Sequence, residues 1–461
     1  MHKKVILTVV ILFLLYIILG VALPPLRHRK AGEQGRQSFT SEQPEGERIL
    51  CLDDNEEALL WRLKVIESAE EELVFSTFDL RDDNSGRDMM AAFLRASDRG
   101  VKVKILVDGI NAFLYLRNDD HFQALASSPN VEIRFYNPVN LLLPWKLNYR
   151  MHDKYLIADD FVYIMGGRNT NDLFLGDYTD SKNIDRDILV YETEEGEDHS
   201  LKQLKDYFQS VWELSCCRPF RRGVNEDRLK AAGSLRSHYD EVTAVHYPEA
   251  FAQTDWETET MAAGKVTLCT NPVNPGNKEP VLWAVMQQLM EQGEDVIIQT
   301  PYVICSRDMY RGLSELSASG TRVQILINAI ESGANPFGCI DYVNEKEELL
   351  ETGAEMYECI ADHSLHTKTI LVDDRLSAVG SYNYDMRSTY LDTEMMLVID
   401  SPELNRELRE QAGELMDQSR HVRPDGTVVR GEDYPDRELS AGKRFFYQIL
   451  RILIMPFRHL L

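Results

Sequence analysis

His152-Asp-Lys154-Tyr-Leu-Ile-Ala-Asp159, six residues, then Gly166-Gly-Arg-Asn169: this stretch decides the fold because it occurs twice. The second copy reads His366-Thr-Lys368-Thr-Ile-Leu-Val-Asp373, six residues, then Gly380-Ser-Tyr-Asn383. Upstream of the motifs the two halves keep their likeness. Leu60-Trp61 matches Leu282-Trp283, and the β-rich segments Glu72–Phe78 and Asp295–Pro301 follow. Asp88-Met89 and Asp308-Met309 each start a helical pattern that stops at Gly100 or Gly320, a glycine being the usual C-terminal stop of a helix. The strands Val101–Val107 and Thr321–Ile327 come next. Strands alternating with helices of this length predict βαβ units and a mainly parallel sheet, so the fold class is α/β, present in duplicate. The offset drifts from 222 residues at the tryptophans to 214 at the motifs, as small insertions produce.

Within each motif, His and Lys stand two apart on an extended segment and project to the same face. The apolar residues between Lys and Asp do not alternate, as expected of a strand buried on both sides. A turn and a second strand then deliver Gly-x-x-Asn. The residue types suit one chemistry. Two imidazoles serve as nucleophile and general acid/base. Lys154 and Lys368 neutralise a phosphate, while Asn169, Asn383 and the Ser381 hydroxyl bind its oxygens. No carboxylate cluster or HExxH accompanies the motifs, so the expected reaction is metal-free displacement at a phosphodiester, without a cofactor. An acid also repeats: Asp185-Arg-Asp187-Ile-Leu-Val190 matches Asp392-Thr-Glu394-Met-Met-Leu397. Asp187 and Glu394 are the expected hydrogen-bond partners of the histidines, fixing the tautomer and stabilising the imidazolium. Asp159 and Asp373 complete the catalytic motif set His152, Lys154, Asp159, His366, Lys368, Asp373. They end the motif strand beyond the reactive face and read as structural hydrogen-bonding residues.

Composition narrows the partners. The chain has 461 residues, 44% hydrophobic and 27% charged, which fits a globular protein with a large core. Its 75 acids against 50 bases give a net charge of −25, which opposes general nucleic-acid binding. The seven cysteines form no CxxC pair and read as reduced, mostly buried thiols. Val5–Leu23 is an apolar run without charge, long enough to cross a bilayer core of ~30 Å. We read residues 1–30 as a single-pass anchor; the alternative is a signal segment cleaved after Gly20-Val-Ala22. Basic residues flank both ends, which leaves the orientation open. Residues 31–48 read as a flexible linker, 49–225 as the first repeat, 226–262 as the connection, 263–438 as the second repeat. Residues 439–461 read as a basic amphipathic tail: Phe446, Ile449, Leu450, Leu453 and Ile454 fall at helical spacing among Lys443, Arg444, Arg451 and Arg458. Such a tail fits an anionic membrane surface or a helix docked on the core. Leu141-Leu-Leu-Pro-Trp145 is a third apolar segment that suits either environment.

The paired motifs resemble those of the phospholipase D superfamily over about residues 50–420. Arg150–Lys154, Gly166–Asn169, Gly380–Ser388 and Asp392–Glu394 are similar to its bacterial cardiolipin synthase branch. The resemblance implies two pseudo-symmetric phospholipase D-like α/β/α domains packed together around one shared active site. It also implies a histidine-linked phosphatidyl intermediate, a phosphatidylglycerol-like donor and an alcohol acceptor. His152 would then be the nucleophile and His366 the general acid and base, with Lys154, Asn169, Lys368 and Asn383 clamping the phosphate; the reverse assignment of the histidines stays open. The implied partners are a phospholipid substrate and an anionic membrane surface, with no obligate protein partner. Two features depart from that branch: Gly167 stands where the second copy has Ser381, and one apolar run replaces the two found in many members. A hydrolase with water as acceptor, a nucleic-acid phosphodiesterase and a non-catalytic lipid-binding scaffold are the competing readings.

Overall fold

A computed structural model describes residues 2–461 except 33, 36, 195, 197 and 436, and the side chains of all but residues 2 and 242–244 among these. The first repeat contains strands β1 (Glu47–Leu52), β2 (Glu72–Thr77), β3 (Lys102–Asp108), β4 (Val131–Tyr136), β5 (Tyr155–Ala158), β6 (Val162–Gly166), β7 (Asn183–Ile184), β8 (Asp187–Glu192), β9 (Arg218–Phe220) and β10 (Met261–Ala262). The second contains β11 (Lys265–Thr270), β12 (Asp295–Gln299), β13 (Arg322–Asn328), β14 (Glu355–Cys359), β15 (Ser364–Leu365), β16 (Thr369–Val372), β17 (Leu376–Gly380), β18 (Met395–Asp400), β19 (Ser419–Val422) and β20 (Val428–Arg430). They build two nine-stranded sheets, ordered β10-β1-β8-β6-β5-β2-β3-β4-β9 and β11-β18-β17-β16-β12-β13-β14-β19-β20, and a two-stranded sheet of β7 and β15. The series β8-β6-β5-β2-β3-β4 corresponds strand for strand to β18-β17-β16-β12-β13-β14.

The sheets are mixed, where the helix–strand alternation predicted mainly parallel ones. Within the two large sheets, parallel pairing among the described residues joins β2-β3-β4 and β12-β13-β14, and the separate pair β7-β15 is parallel as well. Those strands are linked by helices such as Asn84–Arg99 and Arg307–Ser319, long enough for a crossover. The motif strands are linked by tight turns, which permit only antiparallel neighbours. Gly100 (φ 101°) and Gly320 (φ 99°) close the two crossover helices in the left-handed conformation, as their positions predict.

The sheets face each other. Val74, Tyr155, Ile157 and Ile188 of the first sheet share one core with Ile297, Leu371, Val379 and Leu397 of the second. Helices Ser200–Trp212 and Pro402–Asp417 contribute Leu204, Phe208, Leu404 and Leu408 to that core. Other helices cover the outer faces: Asn55–Ser68 and Asn84–Arg99 on the first sheet, Val281–Met290 and Arg307–Ser319 on the second. β5 and β16 are buried along their whole length, matching their unbroken apolar sequence.

Several segments differ from the linear reading. Within the segment read as a linker, Phe39 is 1% exposed in the second repeat's core, and Ser41 N donates to Asp400. Burying that one aromatic is worth about 1.5–3 kcal/mol and offsets the ordering of only the one or two residues around it. Residues 226–262 carry helix Glu226–Val245, whose Leu235 and Tyr239 join the first repeat's core, and then β10, an added strand of the first sheet. The tail forms helix Ala441–Ile454, which docks Tyr447, Leu450 and Ile454 on Ile340. Phe445, Phe446, Ile449, Ile452 and Leu453 stay exposed on it. Arg458 pairs with Asp341 at 2.8 Å and Arg451 Nε donates to Asn344 Oδ1 at 2.8 Å, so two of the four tail bases serve docking. All seven cysteines are free thiols. Helix His2–Ala22 overlaps an apolar stretch, Lys3–Leu26, long enough to span a bilayer, whose most apolar part lies outside the protein core while Pro25 near its end is buried.

Candidate active site

β5 runs antiparallel to β2, with Tyr155 opposite Ser76, so the residues before β5 lie at the C-terminal end of β2. β16 stands in the same relation to β12. Each histidine therefore sits at the same edge of its own sheet. Short cross-repeat pairings then bring the two edges together. Met151 bridges to Thr393, and His152 N donates to Thr393 O at 3.3 Å. β15 pairs with β7, and His366 N donates to Ile184 O at 2.7 Å.

The consequence is an exchange of acids. His152 Nδ1 lies 2.9 and 3.2 Å from the Glu394 carboxylate oxygens, contributed by the other repeat. His366 Nδ1 lies 2.5 Å from Asp185 Oδ2, again across the interface. Both acids are fully buried. With Nδ1 on a carboxylate, Nε2 is the nitrogen left for chemistry on His152; on His366 the Lys368 ammonium lies 2.7 Å from Nδ1 and 3.2 Å from Nε2, beside the nitrogen that would react. Glu394 takes the role expected of it, and Asp187 does not. Asp187 instead faces the first repeat's interior, paired with Arg62 at 2.8 Å and Arg168 at 3.3 Å. Two buried guanidiniums require that carboxylate. Asp185, two residues earlier, reaches His366.

Gly167 explains the shift. A Cβ at residue 167 would stand 2.3 Å from Asp185 Oδ1, so the serine found in the second copy would push Asp185 away. The expectation that Ser381 binds phosphate is also corrected. Its hydroxyl donates to Glu394 Oε2 at 2.5 Å, and Ser388 Oγ donates to Oε1 at 2.6 Å. Ser381 thus holds the carboxylate that holds His152. The departure at Gly167 and the serine at 381 are two solutions to seating an acid beside a histidine.

Lys154 and Lys368 are buried beside His152, which is buried, and His366, which is partly exposed, each ammonium bonded to the carbonyl of its own motif histidine. Asn169 and Asn383 are buried too; Asn383 Nδ2 lies 3.4 Å from Tyr302 Oη. The Oδ1 atoms of both amides have no hydrogen-bond partner among the described residues. An amide oxygen only accepts, so it is the Nδ2 groups of Asn169 and Asn383 that could donate to a phosphate oxygen. Asp159 and Asp373 lie at the other end of the motif strands, in left-handed turns (φ 48° and 49°). Asp159 accepts from the backbone N–H groups of Glu70, Glu71 and Glu72, and Asp373 from those of Glu294 and Asp295. They fasten turns and stay outside the cluster.

Two phenylalanines, missed in the linear reading, complete the walls. Phe78 meets the His152 ring edge-on at 4.9 Å, and Phe174 does the same to His366 at 4.9 Å. Lys154 Nζ stands 5.3 Å over the Phe78 ring. No repeat signal marked Phe78, since the second copy has Pro301 at the matching position.

Burial sets the electrostatics. It holds His152 well below the usual imidazole range, helped by Lys154 and Lys368. His366 is lowered to about 4, by burial and then by Lys368. Lys154 and Lys368 are lowered to about 8 and about 7 by burial. The acids diverge. Burial raises Glu394 to about 7. Burial also opposes ionisation of Asp185, but Lys368 and His366 outweigh it and hold Asp185 at about 2. Paired groups whose environments push them apart are assigned different proton-transfer roles. Among the described residues, two clusters elsewhere could hold a metal ion, Cys51/Asp53/Glu407 and Asp82/Asp119/His121, and neither contains a motif residue.

Comparison with known proteins agrees with this geometry. The chain is 27% identical over 398 residues to cardiolipin synthase C of Escherichia coli, covering 77% of this chain and 82% of that protein. It is 25% identical over 372 residues to cardiolipin synthase B of Salmonella typhi, 79% of each chain. The crystal structure of phosphatidylserine synthase from Haemophilus influenzae shares its fold, with a TM-score of 0.61 over 91% of this chain and 96% of that one, at 17% identity. The family model described as cardiolipin synthase, phospholipase D-like domain, matches residues 63–212 and 285–416, and the chain belongs to that family of phospholipase D-type enzymes.

Proposed function

We propose that this chain is a membrane-anchored phosphatidyltransferase that forms cardiolipin from phosphatidylglycerol, or a related donor, through a phosphohistidine. The exchanged acid pairs, His152–Glu394 and His366–Asp185, carry the reading, because they give two otherwise equivalent histidines different proton chemistry. Asp185 stays ionised and stabilises a protonated His366. Glu394 shares its oxygens among His152, Ser381 and Ser388 and is held near neutrality, which favours an unprotonated His152. His152 is therefore the nucleophile and His366 the acid. An incoming phosphodiester anion offsets the lysine charges that depress His366, so substrate binding itself primes the donor.

In the first half-reaction His152 Nε2 forms a bond to phosphorus while the bond to the leaving glycerol oxygen breaks, and His366 gives that oxygen its proton. In the second, His366 takes the proton of an acceptor hydroxyl whose oxygen displaces His152. Lys154, Lys368, Asn169 and Asn383 hold the phosphate oxygens throughout. Phe78 and Phe174 cover the imidazole edges and restrict water, which favours an alcohol acceptor. The apolar stretch Lys3–Leu26 anchors the enzyme in the cell membrane, where donor and acceptor lipids reside.

The test is product analysis of the full chain with phosphatidylglycerol vesicles. Cardiolipin and glycerol are the expected products. Phosphatidic acid as the main product would assign the hydrolase reading, and absence of turnover would reject both.

A further inference from the structure

Loops that follow parallel strands of one sheet emerge at one edge, and in the first sheet that edge carries His152. The loop after β3 contains a π-helical turn, Ala112–Leu116. Its Phe113, Leu114 and Tyr115 are exposed by 50, 60 and 46%. Three successive large apolar side chains facing outward are unusual on a wetted surface, and π turns cluster at functional sites. This knuckle is fastened to the catalytic wall on two sides. Asn111 Nδ2 donates to the carbonyl of Phe78 at 2.7 Å. The Arg81 guanidinium lies 4.9 Å over the Tyr115 ring, while Arg81 N donates to the carbonyl of Thr170, next to Asn169.

The loop after β4 carries the second apolar tip, Leu141–Trp145, with Leu142 71% exposed. Arg150 ties the two loop bases together, donating to Asp108 Oδ2 at 2.9 Å and to Asn137 O at 2.8 Å. This tip lies along the N-terminal helix: Tyr16 Oη donates to Leu142 O at 2.8 Å, and Asn148 Nδ2 to Val21 O at 2.7 Å. Tyr16 stands ten residues before the end of the apolar stretch Lys3–Leu26. At 1.5 Å per residue that is ~15 Å along the helix. The whole stretch, ~36 Å, overhangs a hydrocarbon core of ~30 Å by a few ångströms, so Leu142 beside Tyr16 lies ~10 Å inside the core. No charge interrupts residues 138–145, and the first charge after them is Lys146.

We infer that the rim of the catalytic mouth is a bilayer-docking surface, in which the knuckle Phe113-Leu114-Tyr115 enters the membrane interface beside the tip Leu141–Trp145. The mouth then opens onto the bilayer, and a lipid headgroup reaches His152 from the membrane plane. The occupant is lipid because the rim is continuous, through Leu142 and Asn148, with the spanning helix. A Tyr–Arg pair at its margin suits the interfacial zone. The inference rests on the anchor assigned under the proposed function, and it would hold for a transferase or a hydrolase.

The full chain is reconstituted in phosphatidylglycerol–phosphatidylcholine vesicles containing an acyl-chain diazirine lipid, irradiated and mapped by mass spectrometry. Label is expected in the N-terminal helix, in 141–145 and in 113–115. It is not expected at Phe251, which is 43% exposed and packs on Tyr239 beside Glu67, at the opposite edge of the sheet. Leu114→Glu should lower turnover of long-chain phosphatidylglycerol in vesicles about tenfold, the effect of one large apolar contact. Turnover of monomeric dihexanoyl phosphatidylglycerol should not change. Label in the N-terminal helix without label at 113–115 would overturn the inference and leave the anchor standing. Equal losses on both substrates, or a change of oligomeric state in Leu114→Glu, would overturn it too. If the parent chain turned over neither substrate, the proposed function would fail while the labelling pattern still decided the docking surface.

Discussion

Asp185→Asn separates a catalytic acid partner from its neighbour Asp187, which the linear reading preferred. The substitution keeps shape and hydrogen-bonding capacity but removes the charge that faces His366 at 2.5 Å. A charge-assisted hydrogen bond between buried groups is worth about 1.5–3 kcal/mol. If that energy is lost when His366 carries its proton in the transition state, kcat falls roughly 10- to 150-fold. The first turnover is followed by rapid quench with phosphatidylglycerol and with a nitrophenyl phosphodiester of the same acyl composition. Nitrophenolate departs without a proton, so the loss should shrink to within about threefold for that substrate. Asp187→Asn should behave in the opposite way. It leaves Arg62 and Arg168 without their buried partner, costs about 3–5 kcal/mol of stability and preserves kcat in the folded fraction. An equal loss for both leaving groups would refute the role of Asp185, as would a larger kcat effect from Asp187→Asn at equal folded fraction.

Three further outcomes are expected. His152→Asn should abolish the acid-quenched phospholipid adduct for every substrate, whereas His366→Asn should still form one with a good leaving group; an adduct on His366 in the His152 variant would reverse the assignment. Glu394 is raised to about 7 in the fold, against roughly 4.3 in an unfolded chain, so its contribution to stability is complete below pH ~4.3 and is lost as pH rises to about 7. The Tm advantage of the parent chain over Glu394→Gln should therefore narrow across that window, and a constant or widening gap would contradict the raised carboxyl. Turnover should be unaffected by chelators, because the groups that meet the substrate are imidazoles, ammoniums and amides whose nearby acids are engaged by histidine and serine; loss with chelator and recovery with Mg²⁺ or Zn²⁺ would refute this.

Periodic and short-range features were legible in the chain. The helix stops at Gly100 and Gly320, the motif strands buried along their length and the His–Lys spacing follow from backbone geometry that spans a few residues. Parallel pairing was overestimated because strand–helix alternation describes only the crossover part of each repeat, while β5-β6-β8 and β16-β17-β18 are linked without crossover helices. Phe39 was hidden by its polar surroundings, which resemble a linker until one aromatic finds a pocket in a core remote in sequence.

By itself the sequence determined the duplication, the paired His, Lys and Asn residues, the apolar N-terminal stretch and the absence of a local zinc framework, all properties of spacing along one chain. Tertiary structure alone decided which acid serves which histidine. His152 and Glu394 are 242 residues apart and His366 and Asp185 are 181 apart, and they meet only because the two sheet edges exchange their loops. The choice between Asp185 and Asp187 was made by Arg62 and Arg168, which capture one carboxylate, and by the missing Cβ of Gly167, which makes room for the other. A buried charge goes to the partner that lies within reach in space, and in a two-repeat fold that partner belongs to the opposite half.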